Sequence, residues 1–340
     1  MKHNQRHTQS QRLCGYELHV CEADSTRYLL PANNKITGNL IKAFASSAGA
    51  DLTGIAPARH DPLDEKRLRN FIEEGRHADM AWLADCTLRT RPHLLLPGAK
   101  SVIVIGVNYY TPDLPLSPGH GRIARYARGR DYHKVIAKIL KKITAFIKEN
   151  APEAQTKICV DSSPLMEKSY AVKAGLGFIG KNTTLITPQF GSYVLLGEVI
   201  TTLELECDKP AAGTCGTCMR CLDACPTKAL IGPDQMDTRR CISYLTIENK
   251  GEIPRELRPK IGGRIFGCDA CQEVCPYNKS LARPATNREI LKTIAGPSIP
   301  LKDILSIRTD REFLDRFAGS PLMRAKRAGL QRNAKIALNL

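Results

Sequence analysis

The feature that most constrains this chain is a run of four cysteines in its second half. Cys215 to Pro226 reads CGTCMRCLDACP, which is the C-x2-C-x2-C-x3-C-P spacing of bacterial two-cluster ferredoxins. Two intervening residues let a tight loop wrap one edge of an iron–sulfur cube, so three thiolates converge on three irons. Cys225 follows on a helical turn that points away, and it therefore ligates the other cluster. The run predicts a domain that holds two 4Fe-4S clusters.

A second, shorter cysteine run lies between Cys268 and Pro276 and reads CDACQEVCP. It is one cysteine short of what a cube needs, and Cys241 lies upstream to supply the missing thiolate. The predicted ligands are therefore crossed between the two runs. One cluster takes Cys215, Cys218, Cys221 and Cys275, and the other takes Cys225, Cys241, Cys268 and Cys271.

Zinc is the alternative metal, because paired C-x2-C units also bind Zn2+. Two C-x3-C-P tails that follow C-x2-C are not typical of zinc ribbons, so iron–sulfur clusters are favoured. Disulfides explain the 13 cysteines poorly, because thiols in the cytosol are kept reduced. Of the remaining cysteines, Cys159 alternates with Ile158 and Val160 in an apparent strand and is predicted to be core.

Length and charge bound the rest of the chain. Its 340 residues suggest about two domains, and no stretch approaches about 18 consecutive apolar residues, so no membrane span is expected. The N-terminus is basic without the apolar middle of a secretory signal, and we expect a cytoplasmic protein. Lys plus Arg exceed Asp plus Glu by 50 to 34, a formal charge of +16. That excess favours a polyanionic partner such as nucleic acid, although a basic proteome explains it equally.

Hydrophobic periodicity predicts an α/β domain with a mixed sheet ahead of the clusters. A continuous apolar run is typical of a buried strand, and apolar residues at helical spacing opposite lysines indicate an amphipathic helix. Strands are predicted at 100–110 and 156–161, helices at 133–150 and 163–174, and a hairpin of 183–186 with 192–203. Ser163 is the predicted N-cap of the second helix. Strands that alternate with helices favour an α/β fold.

Asp161 is the candidate catalytic residue outside the cysteine runs. It stands at the carboxyl end of a predicted strand and before a helix, where ligands bind in open α/β sheets. The simpler interpretation is a carboxylate that caps the helix. His133, in the polar and aromatic segment 125–133, is expected to cap or pack rather than to bind a ligand.

The segment Ala174–Ile186, AGLGFIGKNTTLI, carries Gly175, Gly177 and Gly180. Glycines let a backbone approach a bulky flat ligand closely. The G-x-G-x-x-G spacing follows a predicted helix rather than a strand, so it does not indicate a Rossmann site.

These segments together resemble epoxyqueuosine reductase, a family of cobalamin-dependent iron–sulfur enzymes of tRNA queuosine biosynthesis. The resemblance covers roughly residues 35–335. The matching segments are MAWL (80–83), RP and LLPGAKSVIVIGVNYY (91–110), RYARGRDYHKV (125–135), VDSSPLMEK (160–168), AGLGFIGKN (174–182), both cysteine runs and SPLMRAKRAGLQRNAKIAL (320–338). The sequence departs from the family's usual residues at Phe178 and Lys168, where Trp and Arg are common.

The resemblance implies an activity and roles for particular residues. Such an enzyme reduces the epoxide of epoxyqueuosine, at the wobble position of the tRNA anticodon, to the alkene of queuosine. An external donor such as a flavodoxin or ferredoxin would feed the clusters, and the clusters would feed cobalamin. Asp161 is implied to be the proton donor, able to act if burial raises its pKa. The implied cobalamin contacts are Asp161, Gly177, Phe178, Gly180, Lys181, Asn182, Leu185, Cys268 and Asp269.

The expected organisation has four parts: an N-terminal extension (1–34), an α/β cobalamin-binding catalytic domain (35–206), a ferredoxin-like domain with two 4Fe-4S clusters (207–290) and a short, basic helical C-terminal segment (291–340). A monomer is expected. The C-terminal basic residues are either a solvated helical face or a surface for a polyanion. The D-x-H-x-x-G corrinoid motif is absent, because Ile136 stands where its glycine belongs, so the expected cobalamin has no protein histidine ligand.

Three other functions compete with this one. A two-cluster electron carrier would leave the large α/β domain without a role. Another corrinoid reductase, acting on a small molecule, would not need the positive charge. A tRNA-binding protein with purely structural clusters would keep RNA binding when Asp161 is replaced and would have no turnover to lose.

Overall fold

The structure, a computed structural model, describes residues 8–13, 16–21, 24–29, 35–113 and 115–340. The strands are β1 (Thr8–Leu13), β2 (Tyr16–Cys21), β3 (Asp24–Leu29), β4 (Leu52–Pro57), β5 (Ser101–Asn108), β6 (His120–Ile123), β7 (Thr156–Cys159), β8 (Phe178–Ile179), β9 (Leu185–Ile186), β10 (Val194–Thr201), β11 (Leu230–Gly232), β12 (Gln235–Met236), β13 (Arg264–Phe266) and β14 (Ser298–Pro300). Strands β1 to β3 pair antiparallel in sequence order.

The helices follow the same numbering. They are α1 (Gly38–Ala48), α2 (Pro62–Glu73), α3 (Cys86–Thr90), α4 (Pro92–Leu95), α5 (Tyr132–Asn150), α6 (Glu167–Lys173), α7 (Arg220–Ala224), α8 (Ile242–Ile247), α9 (Arg258–Ile261), α10 (Ala270–Glu273), α11 (Pro276–Leu281), α12 (Arg288–Leu291), α13 (Leu301–Leu305), α14 (Asp310–Phe317) and α15 (Lys326–Ala337). Among the residues so described, no helix combines the length and apolar character that a membrane crossing needs.

The central sheet has the strand order β4–β5–β10–β7, and every pair in it is antiparallel. All eight residues of β5 are buried, as the apolar run at 100–110 predicts. Helices α1 and α5 pack on one face, and α6 packs on the other. The seven apolar residues of α5 that define its predicted face are all buried, so the helix predicted at 133–150 is confirmed.

Two local predictions are wrong. The hairpin of 183–186 with 192–203 does not form, because β9 pairs with β8, whereas β10 pairs with β5 along its whole length. An isolated bridge between Thr187 and Gly191 is all that joins the two segments. The helix predicted from Ser163 begins at Glu167 instead, because the backbone at Asp161 adopts a left-handed conformation with φ of 44° and residues 161–165 form turns.

A second, smaller sheet combines three distant parts of the chain. Strand β6 pairs in parallel with β13 and antiparallel with β14. The predicted α/β, cluster and C-terminal segments therefore share this sheet and the apolar cluster packed against it. The mixed α/β class is confirmed, with the parallel pairing here rather than in the central sheet. The boundaries of the four predicted segments remain a prediction.

The C-terminal segment is fastened to the cluster region by buried polar contacts. The side-chain amide of Asn333, 1% exposed, donates to the carbonyls of Thr246 and Ile265 at 2.8 Å each. Arg332 donates to the carbonyls of Leu245, Asn249 and Gly251. Arg332, one of the basic residues of this segment, therefore makes contacts within the protein rather than with solvent alone.

Candidate active site

The first predicted set of cluster ligands surrounds one cavity. Cys215, Cys218, Cys221 and Cys275 line it together with Lys181, Asn182, Ile186, Pro276 and Tyr277. Short helices α7 and α11 bring the thiols of both cysteine runs to this point. The Lys181 backbone N–H donates to the Sγ of Cys215 at 3.4 Å. Cys275, from the second run, therefore lies where the crossed assignment expects it.

The second predicted set is held together in the same crossed way. The charges of Cys268, Cys241 and Cys225 add to burial in raising the pKa of Cys271 well above its usual range. Burial, together with the charge of Cys241, also raises the pKa of Cys268 to about 11. These thiols are therefore close neighbours in a poorly solvated space. Ligation of a cluster by them remains a prediction.

The four thiols of the first set line a cavity rather than meet at one point. Within the described ranges of the chain, no three His, Cys, Asp or Glu side chains come close enough to hold one metal ion. A cube needs one thiolate at each of four separate irons, so its ligands lie around a volume. A tetrahedral zinc site needs its donors about 2.0–2.3 Å from one ion. The cavity lined by the first set is the kind of arrangement that a cube requires.

Asp161 lies beside His133, a contact that the sequence did not indicate. The Nε2 of His133 is 2.8 Å from the Oδ2 of Asp161, and its Nδ1 is 2.7 Å from the Oδ1 of Asp131. Asp131 also caps α5 by accepting from the His133 backbone N–H. His133 is thus fixed between two carboxylates at the start of a buried helix, with Asp161 on the turn after β7.

The protonation of this pair differs from the expectation. The hydrogen bond from His133 is the largest influence on Asp161 and lowers the pKa of its carboxyl, although burial acts in the opposite direction. Burial opposes the charged form of His133, but the two carboxylates outweigh it and raise the pKa of His133 to about 9. Burial does act to raise the pKa of Asp161, but the hydrogen bond from His133 outweighs it, so the condition set for Asp161 as the proton donor is met through His133 instead. At neutral pH the pair holds one proton, on the imidazolium.

Two glutamates act on the pair, the half-buried Glu167 and the buried Glu198. Glu167 accepts from the Asp161 backbone N–H, and burial, reinforced by the charge of Asp161, raises the pKa of Glu167 to about 7. Glu198 lies opposite Cys159 in the middle of β10 and is 0% exposed. Neither of its carboxylate oxygens has a hydrogen-bond partner, and burial raises its pKa well above its usual range. The pKa values of both glutamates are thus raised, whereas that of Asp161 is lowered.

The glycines of the segment 174–186 are explained by packing inside the protein. A Cβ on Gly177 would lie 2.1 Å from the carbonyl oxygen of Ile186, and a Cβ on Gly180 would lie 2.4 Å from the Ile186 side chain. Leu185 is buried in the core between the sheet and α6. Phe178 packs edge-on against Tyr277, with ring centroids 5.4 Å apart. Contact of these four residues with a cofactor remains a prediction.

The other predicted cofactor contacts lie near the thiols. Lys181 and Asn182 line the first cavity, and the Nδ2 of Asn182 is a buried donor with no partner. The carboxylate of Asp269 accepts from the Arg125 backbone N–H at 2.8 Å and pairs with its guanidinium at 3.2 Å. Asp269 therefore ties the loop of Cys268 to the segment that carries His133.

A cleft of about 630 Å³ is lined in part by Met166 and Lys168, the sequence neighbours of Glu167. Helix α2 and helix α6 form one wall, and the turn between β11 and β12 forms the other. The cleft starts at Met166 and Lys168, where Lys168 donates to the Thr183 carbonyl at 2.7 Å. Its volume suits a sizeable organic ligand, since such pockets measure about 300–1,000 Å³.

Comparison with known proteins supports these observations. The family model "4Fe-4S double cluster binding domain" matches residues 214–278, and the model "Epoxyqueuosine reductase QueG, DUF1730" matches residues 89–162. An epoxyqueuosine reductase of Synechocystis sp. is 43% identical over 84% of this chain and 99% of its own length. That of Pseudomonas aeruginosa is 42% identical over 88% of this chain and 84% of its own length.

Solved structures agree. An epoxyqueuosine reductase in complex with a tRNA-Tyr epoxyqueuosine-modified stem loop superposes with a TM-score of 0.82 at 37% identity, covering 88% of this chain and 80% of that one. The enzyme of Bacillus subtilis, with its catalytic aspartate loop swung out of the active site, superposes with a TM-score of 0.81 at 36% identity, with the same coverage.

A two-cluster iron–sulfur domain joined to an α/β domain with a proton-bearing acid site defines an iron–sulfur oxidoreductase. The extent and identity of the matches place it further: the chain belongs to the epoxyqueuosine reductase family.

Proposed function

We propose that this protein reduces epoxyqueuosine to queuosine in the anticodon of tRNA. The observation that carries the proposal is the position of a half-exposed, proton-bearing pair, Asp161 and His133, in the same molecule as two crossed thiol sets. Removing an epoxide oxygen as water to leave an alkene consumes two electrons and two protons. The cluster region supplies electrons one at a time, and the acid site supplies protons.

The acid site delivers its proton through Asp161. The Asp161 side chain is 54% exposed and that of His133 is 35% exposed, so the carboxylate faces the substrate while the imidazolium stands behind it. As negative charge develops on the departing oxygen, the proton moves from His133 through Asp161 to that oxygen. Glu167, with its pKa of about 7, is placed to help restore the proton.

The cofactors proposed are two 4Fe-4S clusters and cobalamin. The clusters would be held by the two cysteine sets, and cobalamin would be held by the segment 177–185 and by the backbone near Cys268. The buried Nδ2 of Asn182 has no hydrogen-bond partner within the described part of the protein, so it is available to a group bound against this segment. When bound, cobalamin supplies a strongly reducing cobalt centre for cleavage of the C–O bond.

His133 is unsuited to ligate cobalt. Both of its ring nitrogens face carboxylates, and a metal ligand needs a neutral nitrogen with a free lone pair. This supports a cobalamin without a protein histidine ligand. An EPR spectrum of the Co(II) state that showed nitrogen splitting from a protein imidazole would contradict it.

The tRNA partner is supported by the charge of the chain and by the RNA-bound relative. Lysines and arginines that neutralise phosphates release counterions, so affinity falls as salt rises. We expect affinity for an anticodon stem-loop to fall roughly tenfold or more between about 50 and about 200 mM salt, measured by fluorescence anisotropy. A flat dependence would show that the basic excess does not serve RNA.

The proposal also includes the location of the protein, its oligomeric state and its electron donor. We place the protein in the cytoplasm as a monomer, reduced by a flavodoxin or ferredoxin. Turnover with either donor, and a single species in sedimentation at working concentration, would test the last two points.

The decisive experiment is anaerobic turnover. The protein is reconstituted with iron, sulfide and cobalamin, given a strong one-electron reductant, and offered an anticodon stem-loop that carries epoxyqueuosine. The expected product nucleoside is lighter by one oxygen, and its formation requires both cobalamin and Asp161. If the protein retains iron and cobalamin but the nucleoside does not change in mass, the cofactor assignment stands and epoxyqueuosine is not the substrate.

A further inference from the structure

The strongest unexplained surface feature is an exposed tryptophan near the acid site. Trp82 is the sole tryptophan of the chain, and its residue is 51% exposed on the short 3-10 turn Ala81–Leu83. Within the part of the chain whose burial is described, every Tyr and Phe is buried or half-buried. An exposed aromatic side chain of this size indicates a surface that binds another molecule.

Two arginines fix the tryptophan at the rim of the acid site. Arg89, itself 7% exposed, donates from Nε and Nη2 to the Trp82 carbonyl at 3.2 Å each. The carboxylates of Glu167 and Asp161 both act on Arg89. Arg324 lies over the Trp82 ring with its guanidinium carbon 5.3 Å from the centroid, and it interacts with Asp161 as well. Asp161 is therefore within electrostatic range of both arginines that hold Trp82.

The surroundings of the ring are basic. Arg324 is anchored by Glu248, from Nε at 2.8 Å, and its side chain remains 56% exposed. Arg324, Lys326 and Arg332 together lower the pKa of Lys250 beyond the effect of burial, which shows that these cations are near one another. A flat aromatic face beside clustered cations matches a nucleobase attached to a phosphate backbone.

We propose that Trp82 and Arg324 form a platform on which a base next to the modified nucleoside of the anticodon loop stacks. This inference rests on the proposed function, since it takes tRNA as the substrate. To bring its epoxide to Asp161, the nucleoside must leave the stack of the loop, and its neighbours then lose a stacking surface. An aromatic ring replaces that surface for any base, because every base has a π-face.

The competing explanation is a purely structural pair. An exposed cation–π contact contributes about 0.5–1 kcal/mol, and its loss would leave RNA affinity unchanged. The two explanations therefore differ in a measurement of binding.

The test uses the reconstituted holoenzyme and a fluorescein-labelled anticodon stem-loop. Trp82→Ala is expected to weaken binding about 5- to 150-fold, the loss of one base–aromatic stack, while Trp82→Phe keeps most of the affinity. Leu314→Ala, at a side chain 44% exposed on α14, is the matched control and should bind as the wild type does. Circular dichroism of each variant checks the fold, which the anchor on the Trp82 backbone carbonyl should preserve.

A second set of RNAs locates the partner base. Stem-loops with an abasic residue on either side of the modified nucleoside are titrated against both proteins. The cost of Trp82→Ala should vanish for one of these RNAs and persist for the other. Because Trp82 is the only tryptophan, its emission should also change with the complete RNA and not with that abasic RNA.

Several outcomes would overturn the proposal. Unchanged affinity of Trp82→Ala would do so, as would an equal loss against both abasic RNAs. Slower turnover with a flavodoxin donor at unchanged RNA affinity would assign the ring to the electron donor. Failure of the proposed function is separate, since it would appear as wild-type protein that binds the RNA in a Trp82-dependent way without removing oxygen.

Discussion

The cysteine sets and the acid site differ in whether the protein favours the charged form of their side chains. Around Cys268 and Cys271, burial and neighbouring thiols raise the pKa values and oppose ionisation. Around Asp161 and His133, hydrogen bonds lower one pKa and raise the other, so both charged forms are favoured. Cys268 and Cys271 need a bound group to become thiolates, whereas the acid pair is charged by the chain's own residues.

The difference teaches how each region becomes active. Metal ligation requires deprotonated thiols, so loading the clusters releases protons and stabilises the folded cysteine loops at the same time. The acid pair already holds its proton in position before substrate arrives, which is the preorganisation that catalysis of charge development requires. Four predictions test this contrast, from the largest expected effect to the smallest.

The largest effect is expected from a cluster thiol. Cys271→Ser removes a ligand from the second set, so iron content should fall from about eight to about four per chain, and turnover should be lost because electrons no longer pass. Iron analysis and the turnover assay measure both. Cys207→Ser, at an exposed cysteine outside the sets, is the control. Full iron content in Cys271→Ser would contradict the assignment.

The next effect is expected at the acid site. Asp161→Asn keeps the shape of the side chain and cannot relay a proton, so turnover should fall about 10²–10⁴-fold. RNA binding and iron content should be unchanged. Asp303→Asn, at a surface carboxylate paired with Arg316, is the matched control. If Asp161→Asn turns over within a few fold of the wild-type rate, Asp161 does not transfer a proton in the rate-limiting step.

A smaller effect is expected from the histidine behind it. The pKa of His133 is about 9, which is above its value in the unfolded chain. The charged imidazole therefore stabilises the fold fully at pH below the unfolded pKa. Both this stabilisation and the proton are lost as the pH rises through about 9. Turnover of the wild type should fall on that alkaline limb. His133→Gln should move the limb to lower pH, because the proton then resides on Asp161 alone. Identical pH profiles would show that the imidazolium does not hold the proton.

The last prediction concerns the free energy of unfolding rather than turnover, at the link between the two regions. Arg125 pairs with Asp113, Asp269 and Glu273, and its side chain is 5% exposed. Breaking a buried pair leaves an uncompensated charge and costs about 3–5 kcal/mol, so Arg125→Ala should lower the urea midpoint of the holoenzyme. Arg122→Ala, at a 30% exposed partner of Asp113, should change it little. Equal urea midpoints for the two variants would show that the ion pairs of Arg125 do not stabilise the protein more than that of Arg122 does.

Sequence predicted the cysteine sets because their information is local. The spacing between Cys215 and Cys225 is fixed within one loop and one helical turn, and any fold must respect it. The strand at 100–110 and the helix at 133–150 were predictable for the same reason, since each carries its own apolar period.

The acid site was only partly predictable, because its members come from different elements. Asp161 follows a strand, but nothing near His133 in sequence points to it, and their contact depends on how α5 crosses the sheet. Glu198 left a signal that was missed, a lone carboxylate inside the apolar strand VLLGEVIT. The wrong hairpin has a similar origin: proximity in sequence favoured it, whereas β10 pairs with β5 along eight residues of apolar strand.

The sheet β13–β6–β14 has a consequence for synthesis. Strand β6 ends at Ile123, but its two partners begin at Arg264 and Ser298, so it emerges from the ribosome long before either exists. During that interval its edges stay open, and the cysteine loops have no completed frame. Iron delivered before residues 298–300 are made would therefore meet an unfinished site, and we expect stable cluster assembly to require the completed sheet.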